Sequence, residues 1–119
     1  MLIDDDYSTN YYHEIILEEA GLQKNLIVCN TVDKALEQLD VMEHPPHIIC
    51  LDLNMPMKNG WDFLEDYKIL PAKSRAKFVI ILSTTHLPND LDRINEHPLV
   101  YDFWIKPLDV EKIQELLEQ

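Results

Sequence analysis

With 119 residues, 46% of them hydrophobic, the chain is long enough to bury one core and too apolar for disorder. Its 22 acidic residues against 10 basic ones leave a formal charge of −12, which excludes direct binding to nucleic acid or an anionic membrane, since both select a basic face. No apolar run spans a bilayer and no signal peptide is visible, so no membrane role is expected. Cys29 and Cys50 lie inside apolar runs as small buried hydrophobes, which suits a reducing cytoplasm better than a disulfide framework.

In chain order, "MLIDDD" opens with a strand stub. Three apolar residues are short against the ~5–6 of a typical strand, and the expectation is a first strand that begins upstream. "STNYYHEIILEEAG" predicts a helix with Ser8 or Thr9 as N-cap, Gly21 as stop, and Tyr12, Ile15 and Ile16 on its apolar face. "LIVCN" reads as a buried strand. Val32, Ala35, Leu36, Leu39 and Met42 then form a second helical stripe, ended by Pro45 and Pro46.

"HIICLD" has the unbroken apolar middle of a strand covered on both faces. "WDFLEDYKIL" is helical through Phe63, Leu64 and Tyr67, and Pro71 closes it. "KFVIILS" is a strand rich in β-branched residues. "PNDLDRINEH" is a polar helix candidate between Pro88 and Pro98. "LVYDFWI" is the fifth strand, and "LDVEKIQELLEQ" the last helix, with Ile113, Leu116 and Leu117 inward. There is no repeat or polar linker, so residues 1–119 read as a single domain.

Five β-α units imply an α/β fold, a parallel sheet with helices on both faces. Such sheets bind ligands beyond the carboxyl ends of their strands. Four strand ends carry chemistry: Asp4, Asp5 and Asp6 after the first, Asp52 after the third, Ser83 after the fourth, Lys106 after the fifth. Two carboxylates about 4 Å apart repel by about 4 kcal/mol at an effective dielectric near 20, so the crowding calls for a counter-charge. A hard divalent cation that keeps several waters suits such oxygens, and an aspartate can itself be the nucleophile that forms an acyl phosphate. Taken singly, each feature is ordinary. An acidic run is a solvated loop or helix cap, a serine caps a turn, and Lys106-Pro107 is a loop whose proline can be cis. Their placement on successive strand ends is the specific signal.

With those residues in view, the chain resembles the receiver domains of two-component response regulators over essentially its whole length. Asp4-Asp5 is similar to the family's acidic pair, and "LDLNMPMKNG" to its phosphoacceptor segment, with Asp52 as acceptor, Pro56 as loop proline and Gly60 as glycine. Lys106-Pro107 is similar to its Lys-Pro. The resemblance implies a flavodoxin-like (βα)5 doubly wound parallel sheet with strand order 2-1-3-4-5. It implies Mg2+, with Mn2+ as the substitute, held by Asp5, Asp52 and the backbone carbonyl of Asn54, with Asp4 acting through a water. It implies Ser83, Lys106 and Phe103 as the phosphoryl-binding and switch residues, with Thr84 and Pro107 accessory. Phe103 reads equally as a plain core phenylalanine, and Asp6 as a solvated cap.

The implied donor is a sensor histidine kinase or a histidine phosphotransfer protein. The implied output is a protein partner docked on the fourth helix, fifth strand and last helix. On this reading the chain is a switch and not an enzyme. Departures from the family pattern are Thr84 where a smaller residue is usual, Asn59 in place of an aspartate, and the absence of a Gly-Ala turn before the fifth strand.

Other constellations carry less. His13, His44, His47, His86 and His97 show no metal-ligand spacing. Gly21 and Gly60, the only glycines, make no phosphate loop, and Trp61 and Trp104 read as packing residues. The alternative is a small phosphatase of the haloacid-dehalogenase type, since "DDDYS" resembles its opening motif with Asp4 as nucleophile and Asp6 as acid/base. It leaves Asp52 unexplained. A receiver degenerated into a docking module is opposed by the retained acids, hydroxyl and lysine.

Overall fold

The computed structural model describes residues 1–22, 25–84 and 91–119. Strands β1 (Leu2–Ile3), β2 (Val28–Cys29), β3 (Ile48–Asp52), β4 (Phe78–Ser83) and β5 (Asp102–Ile105) alternate with helices α1 (Tyr7–Glu19), α2 (Val32–Val41), α3 (Gly60–Tyr67), α4 (Leu91–Glu96) and α5 (Val110–Leu117). Every strand pairing is parallel and the order across the sheet is β2-β1-β3-β4-β5. This is the flavodoxin-like, doubly wound sheet implied by the resemblance. Its switch point lies between β1 and β3, so the rim above those two strands is where a ligand belongs.

Alternation along the strands divides the core in two. Ile3, Ile49, Leu51, Val79 and Ile81 face one side, where α2, α3 and α4 cover them with Ala35, Leu39, Phe63, Leu64 and Ile94. Leu2, Ile48, Cys50, Ile80 and Leu82 face the other, under α1 and α5, with Leu17, Ile113 and Leu116. β3 and β4 are buried along their whole length, which explains their unbroken apolar runs. Gly21, at a φ of 86°, takes the left-handed conformation just past α1 and stops that helix.

Several expected details differ. The cap of α1 is Asp6, not Ser8 or Thr9, because its carboxylate accepts from the Ser8 and Thr9 amides at 2.9 and 3.4 Å and from the Thr9 hydroxyl at 3.1 Å. The buried face of α1 is Asn10, His13, Ile16 and Leu17, whereas Tyr12 and Ile15 are exposed. Two buried polar residues share that face, and an apolar stripe sought without them falls out of phase. Val28 in β2 and Leu117 in α5 are also exposed. α2 ends at Val41, with Met42 as its cap, before either proline. The fourth-helix candidate forms α4 over Leu91–Glu96, while its first three residues, like His86, lie outside the described residues.

Candidate functional site

The end of β1 delivers Asp4 and Asp5, and the end of β3, its parallel neighbour, delivers Asp52. One carboxylate oxygen from each of the three lies within 4.8 Å of the others. Asp4 and Asp52 are both buried, at 4% and 8% exposure. Lys106 enters from the end of β5. Its ammonium lies 2.7 Å from Asp4 Oδ2 and 3.5 Å from Asp52 Oδ2, bridging the two.

Backbone donors hold the other oxygens. Asp4 Oδ1 accepts from the Asp6 amide at 3.0 Å, and Asp52 Oδ1 from the Asn54 amide at 3.1 Å. Asp6 points elsewhere, spent on its cap and exposed, so the phosphatase reading loses its second acid.

Charge explains the titration behaviour. Burial pushes the Asp52 carboxyl above its ordinary value and the Asp4 carboxylate adds to this, against the Asn54 amide and the Lys106 ammonium. Burial works against the Lys106 ammonium as well, but its hydrogen bond to Asp4 and the charge of Asp52 outweigh it and hold its pKa above the ordinary lysine value. Three carboxylates against one ammonium leave two negative charges uncompensated. Oxygen donors carrying that residual charge fit a hard divalent cation such as Mg2+.

Ser83 is the buried last residue of β4, opposite Ile105, and its carbonyl accepts from the Lys106 amide at 2.6 Å. That bond ties the lysine to the adjoining strand end. Phe103 pairs with Ile81 in register and is half-buried against the α2–α4 side of the core. Thr84 and Pro107 are exposed, and the Lys106-Pro107 peptide is cis. Thr84, Lys106 and Pro107 line one open pocket of about 370 Å³ with Ser8, Thr9, Tyr12 and His13 of α1.

Below Asp52 the loop doubles back tightly. A Cβ on Gly60 would lie 2.8 Å from the Asp52 carbonyl oxygen and 2.8 Å from Leu53 Cα, so only glycine lets α3 start there. Asn59 caps α3 in a reciprocal box with Asp62, at 3.0 and 2.9 Å. An asparagine does the capping work of an aspartate at this position.

Two residues that bond to the site's loops were not singled out in the sequence. Asn10 is buried and donates to the Asp4 carbonyl at 2.8 Å, and buried His13 accepts from the Leu108 amide at 3.3 Å. The signal lay in their spacing, polar residues three apart and in phase with Leu17.

The family model described as "Response regulator receiver domain" matches residues 1–118. The chain belongs to that family. It is 32% identical over 89 residues to a response regulatory protein of Staphylococcus epidermidis, a match covering 74% of this chain and 33% of that protein. The matched part of the receiver is thus about a third of its curated relative's length. A crystal structure of a two-component response regulator from Cytophaga hutchinsonii superposes with a TM-score of 0.87 at 26% identity, covering 98% of this chain and 91% of that one. A response regulator receiver protein from Dyadobacter fermentans gives 0.87 at 28%, covering 98% and 92%. The chain is therefore a receiver domain of the two-component type. Among the described residues, no helix is long and apolar enough to cross a membrane.

Proposed function

We propose that this receiver, residues 1–119 acting as one unit, is a phosphoacceptor switch that takes a phosphoryl group on Asp52. The donor is a phosphohistidine on a sensor histidine kinase or a histidine phosphotransfer protein. The observation that carries the reading is the Lys106 ammonium set between Asp4 and Asp52 on the carboxyl rim, 2.7 and 3.5 Å from them.

In the transfer, a carboxylate oxygen of Asp52 attacks phosphorus. The O–P bond forms as the donor's N–P bond breaks, and the imidazole leaves with the electron pair. Asp5, Asp52 and the backbone carbonyl of Asn54, with Asp4 through a water, would hold Mg2+ or Mn2+, which neutralises charge on the phosphoryl oxygens. Lys106 donates to a phosphoryl oxygen. The Ser83 hydroxyl then turns to the new dianion, Phe103 follows inward, and Thr84 and Pro107 frame the opening.

The new contacts favour one of two arrangements of the surface formed by α4, β5 and α5, where a protein partner docks. Catalysis is confined to the receiver's own phosphorylation and dephosphorylation. The buried free thiols Cys29 and Cys50 suit a cytoplasmic setting.

Intact-mass measurement after incubation with Mg2+ and a small acyl phosphate tests the reading. One added phosphoryl mass, abolished in Asp52→Asn, supports it, and label on Asp4 restores the phosphatase reading. A parental Mg2+ affinity in Asp5→Ala removes Asp5 from the ligand set.

A further inference from the structure

We propose that Asn10 and His13 are positioning residues for the phosphoryl transfer, holding from a single turn of α1 the two loops that carry Asp4 and Lys106. The proposal rests on the reading of Asp52 as acceptor and names a part of the site outside the acidic pocket itself.

Both side chains are almost fully enclosed, Asn10 at 4% and His13 at 2% exposure. Three residues apart on a helix, they share one face, and each reaches a different loop. Asn10 Nδ2 donates to the Asp4 carbonyl at 2.8 Å, next to the Asp4–Asp5 peptide that aims both carboxylates. His13 Nε2 accepts from the backbone amide of Leu108 at 3.3 Å, two residues beyond Lys106. That acceptance assigns the ring proton to Nδ1. Leu108 is itself buried, so its side chain and its amide are fixed together.

The contacts close a ring. Asn10 holds Asp4, Asp4 pairs with Lys106 at 2.7 Å, Lys106 leads through Pro107 to Leu108, and Leu108 returns to His13. Packing alone does not call for polar residues on a buried helix face: the buried residues of α2, on the other side of the sheet, are Val32, Ala35 and Leu39. Leaving a buried amide or imidazole unbonded is costly, and the bonds these two side chains make are to the loops of the site. Asn10 Oδ1 has no partner among the described residues, so the bond to Asp4 is what anchors that amide.

The consequence is a division of labour. Asn10 sets the carboxylates and therefore metal affinity. His13 sets the stem of Lys106 and therefore the barrier to transfer. A lysine on four flexible carbons is catalytically useful in proportion to how well it is pre-placed.

The test uses the parent, Asn10→Ala, Asn10→Ser, His13→Leu and His13→Gln. Mg2+ binding is measured by calorimetry, and the rate of phosphoryl incorporation from a small acyl phosphate at saturating Mg2+ by intact mass. Asn10→Ala should weaken Mg2+ about tenfold, in the range found when a residue supporting a metal ligand is lost. Its transfer rate should recover at saturating metal, and Asn10→Ser, which keeps a donor, should lie between. His13→Leu should leave Mg2+ affinity within about twofold yet slow transfer by about tenfold or more, as misplacement of a catalytic group does. His13→Gln, which keeps an acceptor, should restore most of that rate.

A merely structural role would shift both readouts together in both variants. That result, or no shift in either, overturns the proposal. If the parent takes no phosphoryl group, the functional reading fails, and the clamp is then judged by two results that need no phosphoryl transfer. These are the Mg2+ affinity of the Asn10 variants and a urea-unfolding cycle between His13→Leu and Lys106→Met. Losses in midpoint that simply add in that cycle overturn it, whereas coupled losses support it.

Discussion

On the α2–α4 face of the sheet, the side chains that reach the rim beyond β3 are the apolar Leu53 and Met55, and the buried Ser74 hydroxyl is bonded to Leu39 of α2, away from the loops of the site. On the α1–α5 face, Asn10 and His13 are buried among Ile16, Leu17 and Leu108, each bonded to a different loop. The first face meets the rim through packing, which is non-directional and tolerant of small shifts. The second reaches the rim through hydrogen bonds, which fix direction as well as distance. The chemistry sits at the boundary, with Asp52 on a strand buried on both faces and Lys106 tethered by the polar one. Breaking either face should therefore leave a different signature.

The largest effect belongs to the α2–α4 face. Phe63 is completely buried and stacked on Tyr67, with ring centroids 5.2 Å apart. Phe63→Ala should cost about 3–5 kcal/mol of unfolding free energy, the range for truncating a buried aromatic. Added Mg2+ should not recover it. A urea-unfolding series with and without Mg2+ measures both quantities, and recovery by the ion would show the two faces to be less separate than the contacts indicate.

The same contrast governs what the sequence made legible. β3, β4 and the α2 and α3 stripes were readable because their inward positions are apolar and periodic: Ile49, Leu51, Ala35, Leu39, Phe63, Leu64 and Tyr67. The carboxylates and the lysine were readable because a parallel sheet gathers strand ends on one rim. α1 was misread because two of its inward residues are polar, so the nearest apolar residues, Tyr12 and Ile15, suggested a face rotated from the real one. Of the two expectations for its cap, Ser8 or Thr9 fails because both lie inside α1, and Asp6 as a cap holds because its carboxylate accepts from their amides. The ring through Asn10 and His13 joins positions as distant as His13 and Leu108, and local periodicity carries no record of such a contact.

Next in size is removal of the counter-charge. Lys106→Met leaves Asp4 and Asp52 buried and facing each other without their shared ammonium. Loss of one partner from a buried pair should cost about 3 kcal/mol. Because the defect is electrostatic, Mg2+ should stabilise this variant more than it stabilises the parent, in contrast with Phe63→Ala. Equal responses in the two proteins would separate the ion from the Asp4–Asp52 pocket.

Gly60→Ala probes the boundary itself. The added methyl would sit 2.8 Å from the Asp52 carbonyl oxygen and from Leu53 Cα, against backbone that has little room to move. Overpacking of this kind costs about 2 kcal/mol. It should also slow phosphoryl incorporation, since the displaced atoms belong to Asp52, the residue proposed as acceptor. Parental acceptance in this variant would show that the loop yields away from Asp52.

The smallest effect separates the faces by pH. Burial holds the His13 pKa below its ordinary value of 6.5, the nearby Lys106 ammonium adds to this, and the Asp4 carboxylate opposes it. As pH falls through 6.5, the unfolded chain takes up a proton that folded His13 refuses. Stability is therefore full above that point and is lost on acidification down to the lower folded pKa. The slope is at most about 1.4 kcal/mol per pH unit for one proton. His97, after α4, shifts in the same direction, chiefly by burial, so it supplies a second slope in the same region. Asp52 acts oppositely and at lower pH: burial raises it above 3.8, the folded state binds its proton first, and acidification just above that value stabilises. Unfolding midpoints of the parent should thus fall between neutrality and mildly acidic pH. His13→Gln should remove part of that fall and leave the His97 part, while His97→Gln does the reverse. An unaltered slope in His13→Gln would mean that the imidazole is protonated as easily in the fold as in water, and of the two directional bonds from α1 to the rim only that of Asn10 to Asp4 would then stand.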